Sequence, residues 1–362
     1  FSGVRIMAYT TIDDPSAHFQ IATWAGTDTQ DTAITFDGNS NLQPDLFWNK
    51  GRGVAFGHVW MDTSRGIGNT GKVLDSSSTN AEFDIDDYFE TADTNGFTIG
   101  RGSAGFNALN DTYVTWCWKA NGGTTSSNTD GSITSTVQAN TTAGFSIVTF
   151  TGTGSTATVG HGLGAIPAMI IQKNRDSSAN WSVKHHKTTN NYDFLNLNLT
   201  SAATANDSIW TQTDPTTSVF SIGTASAINQ SSQDQVCYCF AEKQGYSKFG
   251  KYTGNGNANG TFVYTGFKPA FVMTKVSNTT GSWSLYDNKR TGFNPIDVWL
   301  RANGNDIEST SAISGEDIDL YSNGFKLRNS DNTINANFST YIYMAFAESP
   351  FVTSTGTPTT AR

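Results

Sequence analysis

The sequence predicts an all-β fold of three tandem antiparallel β-sandwiches, jelly-roll or lectin-like, and three observations lead there. The first is composition. Of 362 residues only 15% are charged, whereas 23 Phe, 12 Tyr and 9 Trp stand among abundant Thr, Ser, Asn and 35 Gly. Aromatic and β-branched side chains suit a pleated, half-buried surface, and good helix formers are scarce. The second is patterning. Phe145–Phe150, Ala168–Lys173, Trp181–His185 and Val236–Ala241 are short runs bounded by Gly, Pro and Asn, as strands are. Their aromatic residues alternate with polar ones, which predicts one dry face per sheet, and no helix-length stretch carries a 3.6-residue period. The third is an internal repeat, the feature that organises everything else.

The repeat is clearest where each unit closes. Tyr113–Trp118 corresponds to Gln235–Phe240 and to Tyr341–Phe346, so Trp118, Phe240 and Phe346 are equivalent. Four more landmarks keep the same order. An aromatic residue stands two before a Gly (Trp24/Gly26, Phe150/Gly152, Tyr252/Gly254), and a Pro stands six before a Lys (Pro44/Lys50, Pro167/Lys173, Pro269/Lys275). Eight residues after the Lys a further strand begins at His58, Trp181 and Trp283. A Phe then follows at Phe97, Phe220 and Phe325. The six aromatics Trp118, Phe240, Phe346, Phe97, Phe220 and Phe325 are the expected repeat core. The boundaries that result are an N-terminal segment 1–18, repeats at 19–120, 144–245 and 246–351, a polar linker 121–143, and a tail 352–362. The linker is almost wholly Gly, Ser, Thr and Asn and reads as flexible. Repeats two and three abut, which predicts that they pack as one body with the first set apart.

Composition also excludes function classes. A net charge of −9 lacks the basic stripe of a nucleic-acid surface. No run approaches the roughly 18 apolar residues of a membrane span. Phe1–Thr11 has no apolar core segment of the kind a signal peptide carries. Cys117, Cys237 and Cys239 are an odd set with no second ligand pair for a metal, and Cys117 and Cys239 share their repeat position with Ala345; they read as small core residues.

Few residues invite chemistry. His185–His186 ends a strand beside Lys184 and Lys187, with no carboxylate partner nearby, and strand geometry sends the two rings to opposite faces. His161, in Gly160-His-Gly-Leu-Gly164, resembles a phosphate loop only superficially, because Pro167 and a strand follow where a helix is needed. Alternate carboxylates at Asp84, Asp86 and Asp87, and at Asp317 and Asp319, are the candidate calcium ligands, with a solvated acidic loop as the favoured alternative. Lys50, Lys173 and Lys275 are polar and common to all three repeats, which fits a solvated strand end or an interface contact placed alike in each copy. Asp62/Arg65 and Asp287/Arg290 sit at equal offsets and predict local salt bridges, weak if exposed. What the repeats share is core aromatics and turns rather than the unlike groups of a catalytic site, so no enzyme is expected and no cofactor beyond that calcium.

The strings Met7–Gln20, Phe36–Asp45, Tyr113–Lys119, Gly144–Gly164, Gly245–Pro269 and Tyr341–Phe351 resemble an uncharacterised repeat family of marine, cyanophage-type bacteriophages, labelled virion structural or tail-fibre-like. Met7 resembles the natural start of such proteins, which would make Phe1–Ile6 an upstream extension, and Ala361–Arg362 their natural end. The resemblance implies a virion surface protein, assembled in the host cytoplasm: a tail fibre or tail-associated adhesin. Its implied partners are other virion proteins, copies of itself (a homo-oligomer, expected to be a trimer) and a host surface glycan. A head decoration or capsid fibre protein is the alternative, a lectin-like carbohydrate-binding module a third reading and a depolymerase spike a fourth. The first repeat and N-terminal segment are expected to attach to the particle.

Overall fold

A computed structural model describes residues 8–68, 70–102, 105–310 and 315–359. The protein is all-β, built of several antiparallel sheets, none of them closed. One strand order recurs in three large sheets. In the first, the opening strand Phe19–Ala25 pairs with the closing strand Thr112–Trp118, which pairs with the central strand Leu46–Gly51; Val59–Asp62, Gly71–Asp75 and Phe83–Ile85 continue outward. In the second the same places are taken by Phe145–Thr151, Asp234–Phe240, Met169–Asn174, Ser182–His185, Asp193–Asn196 and Thr204–Ala205. In the third they are Ser247–Thr253, Thr340–Pro350, Phe267–Val276, Trp283–Asp287, Val298–Arg301 and Ser309–Thr310. A small sheet accompanies each: Thr32–Thr35 with Gly96–Ile99 and Phe89–Asp93, Ala157–Gly160 with Val219–Ile222, and Phe262–Tyr264 with Gly324–Leu327 and Ile318–Tyr321. Helix among the described residues is limited to single turns, such as Ser226–Asn229 and Asn332–Asn335.

The expectation of one dry face per sheet falls short for the large sheets, which are buried on both faces. Every residue of the central strands Leu46–Gly51 and Met169–Asn174 is buried. Alternate residues enter different cores, as the two-residue period of a strand requires. Leu46 and Trp48 face one cluster, whereas Phe47 faces another that includes Phe89, Phe97 and Cys117. The second repeat has its own such cluster around Phe220, Cys237 and Cys239, and the third around Phe325, Tyr341 and Ala345. All three cysteines are buried and free, in the role of small apolar residues.

The opposite faces of the three large sheets share a single hydrophobic cluster. At its centre the three equivalent closing-strand aromatics meet. Trp118 lies 6.1 Å from Phe240 and 5.5 Å from Phe346, and Phe240 lies 6.0 Å from Phe346.

The three junctions between repeats use the same backbone bond in cyclic order. Glu82 N donates to Arg175 O at 2.7 Å, Ala203 N to Ser277 O at 2.8 Å, and Glu308 N to Arg52 O at 2.8 Å. Each acceptor stands two residues beyond the shared lysine. The repeats therefore close a ring: first to second, second to third, third to first. The first repeat is not set apart, because it packs on both of the others.

The polar segment 121–143 is corrected too. Ser126–Asn128 and Ser135–Asn140 are strands that extend the second large sheet beside its opening strand, with Val137 opposite Val148. Alternate small side chains such as Ser135 and Val137 are buried there, so a composition that reads as a flexible linker forms an ordered sheet edge. At the N-terminus, Thr10 Oγ1 donates to Gln244 O and Ile12 enters the shared cluster. Phe1–Met7 and Thr360–Arg362 lie outside the described residues, and with them the expected upstream extension, the Met7 start and the C-terminal Ala361–Arg362.

Candidate binding cleft

The polar residues that the repeats share are structural. Lys50, Lys173 and Lys275 are neither solvated nor exposed: all are fully buried at the junctions. Lys173 Nζ donates to Asn174 O at 2.9 Å and to Thr79 O of the first repeat at 3.2 Å. Lys275 Nζ donates to Val276 O at 2.6 Å and to Thr200 O of the second repeat at 3.3 Å. Lys50 Nζ donates to Gly51 O at 2.7 Å and to Val54 O at 3.2 Å. Burial pushes each ammonium down to about 8.

The predicted Asp/Arg pairs form, but at the heart of buried clamps rather than at the surface. Arg65 Nε donates to Asp62 at 2.5 Å, and Glu82 then joins Arg65 at 2.7 Å to Arg175 of the second repeat at 2.8 Å. At the equivalent place Arg290 meets Asp287 at 2.6 Å, and Glu308 joins it at 3.0 Å to Arg52 of the first repeat at 2.8 Å. Burial works against ionised Glu82, yet hydrogen bonds and charge from Arg175 and Arg65 hold it below the usual carboxylate range. The junction of the second and third repeats has no such clamp. Ala203 and Ser277 stand where Glu and Arg stand elsewhere, and His185 replaces the aspartate.

His185 and His186 are consumed at that junction. The Nε2 of His185 donates to Tyr343 O at 3.2 Å, and that of His186 to Phe249 O at 2.7 Å. Burial pushes the His185 imidazole down to about 3. His161 is buried in its turn and accepts from Leu163 N.

A further set was missed in the sequence. Asn107, Asn229 and Asn335, each eleven residues before the closing aromatic, are fully buried. Each Oδ1 accepts a backbone N–H from the turn after its opening strand (Thr27, Thr153, Asn255) at 2.8–2.9 Å. The fixed offset, with Phe106, Ile228 or Ile334 just before it, was the available signal.

The calcium candidates are not brought together. Asp84 pairs with Lys72; Asp319 accepts from Tyr321 at 2.9 Å and pairs with Arg328 at 3.3 Å. Asp317 is pushed up by burial and by neighbouring Asp297 and Asp319. Calcium wants six or more oxygens, and no group of three metal-ligating side chains occurs among the described residues. Asp86 and Asp87 join no such group, and Asp87 lies within 3.4 Å of the Gln30 amide. The residues present do not fit the ion.

Two concavities stand out among the described residues. A recess of 410 Å³ in the second repeat is lined by Ile166, Lys184, Asn191 and Asp214. Its lysine is occupied: Nζ donates to Asn191 O and lies 5.9 Å from the Trp210 ring. The other, a polar cleft of 860 Å³ on the third repeat, is lined by Lys268, Asn288, Lys289, Phe293, Tyr321 and Glu348 among others. It runs on into a recess of 180 Å³ that shares Asn288, Lys289 and Glu348 and reaches Asp37 and Gly38 of the first repeat.

The cleft is held from below. Asp287 accepts Lys289 N and Arg290 N, each at 3.0 Å, which fixes the turn after its strand. Asn294 anchors the loop carrying Phe293, because its side chain makes two 2.8 Å bonds to the backbone of Leu320. Glu348 accepts from Lys268 and Asn288, each at 2.8 Å, and Lys289 meets Asp37 at 2.6 Å. Above this polar floor the Phe293 ring is 73% exposed. Tyr321 lines the cleft with it and lies 6.1 Å from Phe262, and Tyr264 is 55% exposed on the same small sheet.

No curated protein and no solved structure matches this chain. One family does, over residues 14–350, a span that takes in all three large sheets and the cleft. The chain belongs to DUF7483, a domain family of unknown function.

Proposed function

We propose that this chain is a bacteriophage virion surface protein, a tail fibre or tail-associated host-adhesion protein, that works by binding and without catalysis. In this reading each repeat is a jelly-roll or lectin-like sandwich, its large and small sheets enclosing its own cluster. The partners are other virion proteins and further copies of the chain. The observation that carries the reading is a closed ring in which the shared polar residues are consumed by the scaffold, while the third repeat presents an open polar cleft edged with aromatic rings. A rigid frame with a single differentiated surface suits attachment, since it limits the entropy lost on binding.

The test is location. Cryo-electron microscopy of particles that contain the chain should place its density on the tail. Density confined to the capsid would replace this reading with that of a head decoration protein, and absence from the particle would end it.

A further inference from the structure

The first repeat acts as a control for the third. Ile34, Val159 and Val263 occupy one position in the small sheets, because each pairs with the landmark Phe: Phe97, Phe220 and Phe325. The residues on either side point away from the core. They are Ala33 and Thr35 in the first repeat but Phe262 and Tyr264 in the third, whereas in the second Thr158 and Gly160 are covered by Ser132 and Asn128 of the preceding segment. The core therefore demands nothing large there. Two aromatics have been placed where the first repeat does without them, 45% and 55% exposed; the Phe262 ring lies 6.1 Å from Tyr321, which lines the cleft with the 73% exposed Phe293, and the Tyr264 hydroxyl lies 3.4 Å from that of Tyr9. Exposed apolar area grouped in this way marks a binding surface rather than a packing need.

We infer that this cleft is a polysaccharide-binding site, with Phe293 and Tyr321 of its lining as the platforms on which sugar rings lie. The inference rests on the reading of the chain as a surface-binding protein and names its ligand class. Two features select a glycan. The cleft alternates donors and acceptors without net bias: Lys268, Lys289 and the Asn288 amide stand against Glu348 and Asp37. Hydroxyl groups donate and accept at once, so a polyhydroxylated ligand meets both kinds, whereas a ligand carrying charge of one sign meets one. Flat aromatic faces above a polar floor give such a ligand apolar contact for its C–H faces and hydrogen bonds for its edges. The shape adds a third feature: a cleft of 860 Å³ running on into a recess of 180 Å³ at the boundary with the first repeat accommodates a chain rather than a single sugar.

The experiment is binding of the purified full chain to an array of bacterial surface polysaccharides, repeated with Phe293→Ala, Tyr321→Ala and the double variant Phe293→Ala/Tyr321→Ala. Phe83→Ala, which removes an exposed ring from the first repeat, is the control. The expected result is retention of one or more polysaccharides by the native chain, unchanged by a chelator. Affinity should fall tenfold or more in each cleft variant and stay unchanged in the control, with thermal midpoints unaltered throughout. No polysaccharide bound, binding lost with the chelator, or binding equal in all variants would overturn the inference. A variant with a lowered thermal midpoint is replaced by its Leu counterpart, which keeps the apolar bulk and removes the flat face. A chain found on the particle that binds no glycan defeats this inference alone; glycan binding through the cleft by a chain absent from the particle defeats only the virion reading.

Discussion

Phe346→Ala tests whether the three repeats form one cooperative body. The Phe346 ring is 1% exposed. It lies 5.1 Å from Phe19 and 5.5 Å from Trp118 in the first repeat and 6.0 Å from Phe240 in the second. In its own repeat it meets Tyr246 at 5.6 Å and Phe249 at 6.0 Å. Truncating a buried Phe costs about 3–5 kcal/mol through lost transfer energy and the cavity left behind. The ring contacts, each worth about 0.5–1.5 kcal/mol beyond burial, place this site in the upper half of that range. At about 1.4 kcal/mol per factor of ten, the folding constant falls by roughly three orders of magnitude. Urea unfolding followed by tryptophan fluorescence and far-UV circular dichroism should show one transition, moved to lower urea with its slope unchanged. Hydrogen exchange should show Thr112–Trp118 and Asp234–Phe240 losing protection together with Thr340–Pro350. Two separate transitions, or full protection of the first two closing strands, would refute the shared core.

Other consequences follow from the junctions. Glu82→Gln removes the carboxylate that bridges Arg65, which keeps Asp62, to Arg175 and should cost about 3 kcal/mol in urea unfolding, whereas Asp84→Asn, at the exposed Lys72 pair, should cost under about 1 kcal/mol. Equal effects would refute the buried clamp. Stability should also depend on pH from both sides. Burial lowers the imidazoles of His58, His161 and His185, the last to about 3, so below about 6.5 the unfolded chain takes up protons that the native one refuses. The urea midpoint should therefore fall as pH drops from about 6.5 towards 3, with Glu82 adding to the loss below its usual range. The junction lysines act in the opposite sense. Their ammonium groups titrate at about 8 when folded and at about 10.5 when unfolded, so stability should rise from pH 8, level off near 9 where the unfolded chain ionises three cysteines that stay neutral when buried, and fall near 10 with the buried tyrosines. The triple variant Lys50→Met/Lys173→Met/Lys275→Met should reduce that rise to the part contributed by Lys184, which burial also holds at about 8; an unchanged rise would refute the assignment. Finally, residues 126–245 alone expose Ile147, Ile171, Trp181 and Phe240, which the other repeats cover in the full chain. Sedimentation should find no folded monomer of that fragment, and a monomer with dispersed amide resonances would show that each repeat is self-sufficient.

Much of the fold was legible because it rests on local rules. Alternation placed the strands, and recurrence of Trp118, Phe240 and Phe346 identified equivalent closing strands whose neighbours follow one order. Exposure was read less well. The shared lysines and the Asp62/Arg65 pair look like surface residues, because a charged side chain is normally solvated and only a neighbouring repeat removes the water. Segment 121–143 failed for the converse reason. Its Ser, Thr and Asn carry no hydrophobic signal, yet a strand edge already present supplies the hydrogen bonds that order them. The cleft was invisible in the sequence, since Phe293 and Tyr321 look like any other aromatics in a chain that buries most of them.

The sequence by itself determined the all-β class, the period of the repeat and which residues are equivalent, because strand patterning and duplication are properties of neighbours along the chain. Tertiary structure decided that the large sheets are covered on both faces, that three repeats close into one ring, and that one aromatic set is left outside. Those outcomes depend on which surfaces meet across more than a hundred residues, where burial, and no local pattern, sets whether an ammonium is a solvated tip or a junction and whether a ring is core or platform.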